Sequence, residues 1–256
     1  MTRTILAITV GLVLGVSPAY AADVVKISGL PNYPPVLWKA QGTLMGVGAE
    51  LAKAICTELG MAFKFKPLPW VRALSEAKQG KIDMIAGAYL KKERQAYMEY
   101  TVPFMKDPSV LFVKRGRVFP FQGLKDLAGK KGVTMLGYSW GEAFDRYADA
   151  HLHITTVTRP LQALRMLDRG RVDYFVYGLY SGGFVLTKTG MAEKVEYLPH
   201  YVSQEDLYIT FSKKSPFGRF LPRANDLIQR LKDEGLIDKW IRHYLKKYRK
   251  TLAAGE

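Results

Sequence analysis

Acidic residues, cysteines and histidines are all scarce in this chain of 256 residues. There are 23 aspartates and glutamates against 38 lysines and arginines, which leaves a formal charge of +15. Cys56 is the one cysteine, so an intrachain disulfide is excluded even in an oxidising compartment. It stands beside the apolar pattern Val47, Leu51, Ala54, Ile55 and Leu59 with no partner histidine in a motif, and reads as a small buried hydrophobe rather than a catalytic thiol. Of the four histidines, His151 and His153 are predicted to project from one face of a strand. No third ligand stands at a metal-binding spacing, so neither a metal site nor a cofactor is expected. HExxH, GxSxG and a phosphate-binding glycine loop are missing. After the first residues no run is apolar enough to cross a membrane. The basic residues are scattered, without zinc-finger spacing or an RRM-like aromatic motif. Their charge therefore reads as a field that favours anionic ligands or an acidic docking surface, not nucleic acid.

Residues 1–22 have the form of a cleavable export signal. Arg3 gives a basic start, residues 5–16 form an apolar run too short to span a bilayer comfortably, and Ala19-Tyr20-Ala21 is a small-x-small cleavage site. No cysteine follows the run, so a lipid anchor is not expected and the mature chain should be soluble.

What is present is an alternation of strands and helices. A strand over 24–28 leads into Gly29-Leu30-Pro31-Asn32-Tyr33-Pro34-Pro35, a loop stiffened by three prolines. A helix over 47–58 is opened by Gly46 and Gly48 and closed by Gly60, and residues 63–66 alternate as a half-buried strand. Residues 70–78 repeat Val71, Leu74 and Ala77 on one helical face, with Gly80 as the stop. A buried strand over 82–86, a loop holding Gly87, Tyr89 and Arg94, and a second apolar run over 109–113 follow. This order is the βαβ signature of a mainly parallel sheet, and such sheets bind ligands in loops at the carboxyl ends of their strands.

The plan recurs. Residues 77–87 (AKQGKIDMIAG) are answered by 167–178 (LDRGRVDYFVYG): a helix ends at glycine, then come a basic residue, an aliphatic, an aspartate and an apolar strand. Two lobes on one plan are expected. Asp83 and Asp173, at the starts of their strands and away from the ligand loops, read as structural rather than as an acid–base pair. In the second half a strand over 132–135 enters a glycine-flanked turn, where Ser139 and Glu142 have the spacing of a capping box. A helix start also suits a carboxylate, so Tyr138 and Ser139 either contact a ligand or serve as plain cap residues. A strand over 207–211 is broken by 212–216, and amphipathic helices run to the end. The last of them has Ile237, Trp240, Ile241, Tyr244, Leu245 and Tyr248 on one side and reads as a packed helix with a wet face.

The succession PW-x-R-AL from Pro69, GKIDMIAG from Gly80, Glu93-Arg94 and the turn Tyr100-Thr101-x-Pro103-Phe104 resembles the bacterial periplasmic solute-binding proteins of family 3, the polar amino-acid type that serves ABC importers. The resemblance covers nearly all of the mature chain. It implies an α/β, two-lobed periplasmic binding protein fold of type II, closing by a hinge around a small ligand, with a membrane permease as partner, in the periplasm and as a monomer. Lobe one is expected over 23–115 plus 200–256 and lobe two over 116–199, with crossings near 113–118 and 200–206. Arg94 matches the arginine that grips a ligand carboxylate in that family, a role suited to a guanidinium's planar fork of donors. Tyr33 and Trp70 match its stacking aromatics, and each is equally compatible with plain core. Gly87, Tyr89, Arg72, Tyr138, Ser139 and Tyr177 complete the expected ligand-binding set.

One departure matters. The family's ammonium-holding aspartate falls at Gly178, so an α-ammonium would need other support, such as an aromatic box of Tyr33, Trp70 and Tyr89. The expected function is capture of a small carboxylate-bearing ligand, an amino acid first, for an ABC importer, without catalysis. The alternatives are an exported enzyme on the same scaffold, of the cyclohexadienyl dehydratase kind, and a sensing module. A dehydratase needs a positioned acid, and the expected pocket offers only Glu142 and Glu93.

Overall fold

The structure is a computed structural model that describes residues 24–40 and 43–254. The export signal expected over residues 1–22 lies outside them. In chain order, β1 (Val25–Ser28), β2 (Asn32–Tyr33), β3 (Leu37–Ala40), β4 (Thr43–Met45), α1 (Val47–Glu58), β5 (Phe63–Phe65), α2 (Trp70–Lys78) and β6 (Met84–Tyr89) precede a one-turn helix, α3 (Lys92–Gln95). Then come β7 (Met98–Tyr100), β8 (Met105–Lys114), β9 (Lys131–Met135), α4 (Glu142–His151), β10 (His153–Val157), α5 (Pro160–Asp168), β11 (Tyr174–Gly178) and α6 (Leu179–Lys188). The chain closes with β12 (Val195–Tyr197), β13 (Ser203–Ser212), α7 (Leu221–Asp233) and α8 (Leu236–Ala254).

Two lobes share one sheet of order β10-β9-β11-β8-β13-β6-β1-β5. Each has three parallel strands, β5-β1-β6 or β10-β9-β11, closed by one long antiparallel strand, β13 or β8. The two long strands pair with each other over 105–109 and 203–207. Beyond that overlap the chemistry divides. Val110 to Val113 are buried in one apolar cluster with Val133, Phe144, Leu164 and Phe175, whereas Leu207, Ile209 and Phe211 are buried in another with Ile27, Leu51, Ile55 and Ile228. Cys56 belongs to the second of these clusters, and burial pushes its thiol up to about 12, in keeping with a hydrophobe's role.

The repeat seen in the sequence is realised hydrogen bond by hydrogen bond. Asp83 gives its N–H to the carbonyl of Lys26 and accepts the Lys26 N–H at 2.8 Å; Asp173 does the same with Lys131, accepting at 2.7 Å. Each aspartate thus ties the entry of one strand to the start of its parallel neighbour. Both are structural.

Three local expectations change. The strand predicted over 82–86 is shifted to Met84–Tyr89, because residues 82 and 83 are taken up by the turn and its aspartate while Gly87, at φ +111, lets the ladder continue past a register shift opposite Tyr208 and Ile209. Gly87 and Tyr89 therefore lie in a strand, not a loop, and Tyr33 lies in the short β2. His151 ends α4 and packs on Tyr147, with ring centroids 4.7 Å apart, while His153 begins β10, so the two do not share a strand face. The Ser139 capping box does not form either: Gly141 is the cap residue, and the Glu142 side chain pairs instead with Arg146 at 3.0 Å.

The two aspartates differ in one respect. Asp83 is 5% exposed and also accepts a bond from Ser215 Oγ at 2.8 Å, whereas Asp173 is exposed. Asp83→Ala should therefore cost about 2–3 kcal/mol by chemical denaturation, leaving buried donors unpaired, and Asp173→Ala less than about 1 kcal/mol. Equal losses would contradict the extra weight given to the buried Asp83 and its bond from Ser215.

Candidate ligand-binding site

The carboxyl ends of β1, β6, β9 and β11 meet between the lobes, where two cavity walls face each other. Leu30, Tyr33, Trp70, Gly87, Ala88, Tyr89 and Arg94 form one wall, Tyr138, Ser139, Trp140, Gly178 and Ser181 the other, and Asp107 and Leu207 from the crossing strands lie between. The cleft is open to solvent at its mouth, and the free space within it, counted out to that solvent, is about 470 Å3.

Arg94 sits in α3, a single turn that starts just after β6 ends. It is 6% exposed. Its guanidinium lies 5.2 Å from the centre of the Trp70 ring and gives one long hydrogen bond, 3.3 Å, to the carbonyl of Tyr89. Among the described residues no carboxylate pairs with it. Burial pulls its pKa down from the ordinary arginine value against the opposing fields of Tyr100, Tyr97, Asp145 and Glu93, none of which reaches it as an ion pair. The expected aromatic box has a different arrangement: the Trp70 ring is engaged by Arg94, and Tyr33 and Tyr89 both direct their hydroxyls to Asp107.

Asp107 was not among the residues singled out from the sequence. It is 1% exposed, on the crossing strand β8. Its Oδ2 accepts the hydroxyls of Tyr33 and Tyr89, the latter at 2.5 Å. Burial raises its pKa to about 6 against the opposing effect of those bonds, and the same burial raises both tyrosines well above their ordinary value. The sequence signal was there in Lys-Asp-Pro at 106–108, a charge inside an apolar strand, where a lone charge is rarely left without a purpose. The expectation that Glu142 and Glu93 were the acids near the site fails, since both side chains stand at exposed positions while Asp107 is inside.

Opposite, Asp145 organises the turn that carries Tyr138 and Ser139. Its carboxylate accepts the Ser139 hydroxyl at 2.5 Å and the Trp140 N–H at 3.0 Å, and pairs with Lys91 of the first lobe at 2.9 Å. Trp140 is pinned in turn by its Nε1 giving to Thr134 Oγ1 at 2.5 Å.

Seven of the nine expected site residues, Tyr33, Trp70, Gly87, Tyr89, Arg94, Tyr138 and Ser139, thus line one cavity. Tyr177 does not: it lies behind Tyr138, rings stacked at 6.2 Å, on the wall of an adjoining groove that shares Leu30, Trp70 and Tyr138 with the cavity. Arg72 points to solvent and pairs at 2.9 Å with Glu76, its neighbour four residues along the same face of α2.

Comparison with known proteins agrees with this architecture. A probable histidine-binding protein of Campylobacter jejuni is 30% identical over 113 residues, 44% of this chain and 44% of its own. The ABC transporter arginine-binding protein 1 of Escherichia coli is 25% identical over 160 residues, 60% of this chain and 63% of its own. The chain therefore spans between 44% and 63% of the length of the curated relatives it matches. The structure of an ancestral arginine-binding protein bound to glutamine superposes with a TM-score of 0.71 at 25% identity, over 86% of this chain and 97% of that one. That neighbour and others like it are two-lobed periplasmic binding proteins, the fold expected from the sequence. Because residues 25–247 match the family described as bacterial extracellular solute-binding proteins, family 3, the chain belongs to that family.

Proposed function

We propose that this protein captures a small carboxylate-bearing solute, an amino acid or a derivative, between its lobes and presents it to the permease of an ABC importer. The observation that carries this reading is Arg94: a buried guanidinium, stacked on Trp70, with no anion of its own. An isolated buried charge costs several kcal/mol. A ligand carboxylate that pairs with it bidentately recovers that cost at the moment of binding. The relatives named for histidine and arginine support amino acids as the leading class.

The site supports capture without chemistry. Tyr33, Trp70, Tyr89, Tyr138 and Trp140 supply flat walls, and Arg94 supplies a fixed charge that orients a guest. We place the protein in the periplasm, acting as a monomer. The division of lobes that best fits the packing runs through 105–109 and 203–207, where β8 and β13 cross, instead of near 113–118 and 200–206. A change of pitch in that two-strand ribbon would open or close the cleft as a hinge. Lys91 and Asp145, bridging the lobes at 2.9 Å, then act as a latch on the closed form.

Three outcomes are expected. In a thermal-shift and calorimetric screen of amino acids, organic acids and amines, stabilisation should require a carboxylate, and Arg94→Lys should weaken the best ligand by roughly 30-fold or more; stabilisation by amines lacking any carboxylate would overturn the role of Arg94. Lys91→Met should lower affinity by about fivefold at low salt, with the deficit shrinking in about 1 M salt as the bridge is screened in the parent protein as well. Incubation with prephenate or arogenate should return both unchanged, and turnover of either would establish the enzymatic alternative.

A further inference from the structure

Resting on the reading of Arg94 as the carboxylate's partner, we propose that Asp107 is the counter-charge for the other end of the guest, so that the site selects solutes carrying a nitrogen cation with N–H donors as well as a carboxylate.

The argument starts from two opposite charges lining one cavity, neither neutralised by the protein. Asp107 is 1% exposed, and among the described residues no lysine, arginine or histidine pairs with it, Arg94 included. Its two tyrosine donors both fall on Oδ2. The second oxygen, Oδ1, receives no hydrogen bond from a described side chain, which leaves its acceptor capacity to a ligand. Two neutral donors hold the carboxylate in place without cancelling its charge.

The space beside that carboxylate is kept clear by a glycine. A Cβ built on Gly178 would come within 2.7 Å of Ser181 Oγ and into van der Waals contact, 3.9 Å, with Asp107 Oδ2, so a side chain there would crowd Ser181 and, if larger than a methyl, fill the space on that side of the acid. A guest ammonium can occupy it. Buried carboxylates are costly until paired with a hydrogen-bonded cation, and a ligand with charges at both ends relieves Arg94 and Asp107 in one event. A quaternary ammonium has no hydrogen to give to Oδ1 and should bind worse than a primary one.

The groups facing Asp107 set the pH behaviour. Tyr33 and Tyr89 donate to it, and Tyr177 and Tyr180 lie within its field; all four are raised above their ordinary values and stay neutral near pH 7. Asp107, raised to about 6, is therefore the facing group that titrates at mild acidity. A cation binds its ionised form, so affinity should fall as the pH drops through about 6 and level off above about 7.

The test is calorimetry on the full mature chain with three probe sets: the standard L-amino acids with γ-aminobutyrate; acids without a nitrogen cation, namely propionate, lactate, succinate and 3-phenylpropionate; and amines without a carboxylate, namely putrescine and phenethylamine. The proposal expects tight binding within the first set alone, a loss of roughly 30-fold or more for its best member in Asp107→Asn, and a pH dependence between about 5 and 7 that disappears in that variant. Cation-free acids binding the parent protein as tightly as the amino acids, or Asp107→Asn binding them unchanged, would overturn it while leaving Arg94 untouched. Binding of amines alone would overturn the role of Arg94 and keep that of Asp107, and a response to no probe would count against both. The comparison of probe sets on the parent protein is decisive by itself should Asp107→Asn fail to fold.

Discussion

A guanidinium enclosed by protein with no anion against it is the constraint around which the rest of this molecule makes sense. Arg94 is 6% exposed, lies over the Trp70 ring, gives one long hydrogen bond to a carbonyl, and among the described residues forms no ion pair. Folding has to hold it there against the loss of solvation, and the elements that do so are rigid. A one-turn helix fixed to the end of β6 sets its backbone, and Trp70 at the start of α2 backs its side chain. Such strain is useful when the compensating charge arrives with a ligand: the interaction then acts in a desolvated site, where it is strongest.

The sheet explains why that site lies between two bodies. Each lobe is three parallel strands closed by a long antiparallel strand, and those two strands pair with each other across the junction. Asp107 sits on this ribbon and accepts hydroxyls from Tyr33 and Tyr89 of the first lobe, while Gly178 and Ser181 of the second lie beside it. A charge placed at the crossing sees both walls. Across the cleft, Asp145 joins the Ser139 turn of one lobe to Lys91 of the other, so the far wall is tied to the position of the first lobe.

Much of this was legible in the sequence because it is local. Helices α1 and α2 run over the residues their apolar spacing indicates, 47–58 and 70–78, and the echo of residues 77–87 in 167–178 foretold paired aspartates that make equivalent bonds. What was missed is non-local. Ser139 and Glu142 have the spacing of a capping box, yet Asp145 reaches back and takes the serine, a choice that no spacing rule decides. Arg72 shares its motif with Trp70 but faces outward, since two residues along a helix is about half a turn away. Asp107 belongs to a strand that crosses between lobes, and its partners are 74 and 18 residues distant. Position 178 holds glycine, and the acid next to it in space, Asp107, comes from another strand altogether.

The central claim is tested most directly by the structure of the protein crystallised with its tightest-binding amino acid. The account predicts the ligand carboxylate paired through two hydrogen bonds with the Arg94 guanidinium, lying between Trp70 and the Tyr138 wall. A ligand seated with its carboxylate turned to solvent or to another cation, and Arg94 unengaged, would contradict it.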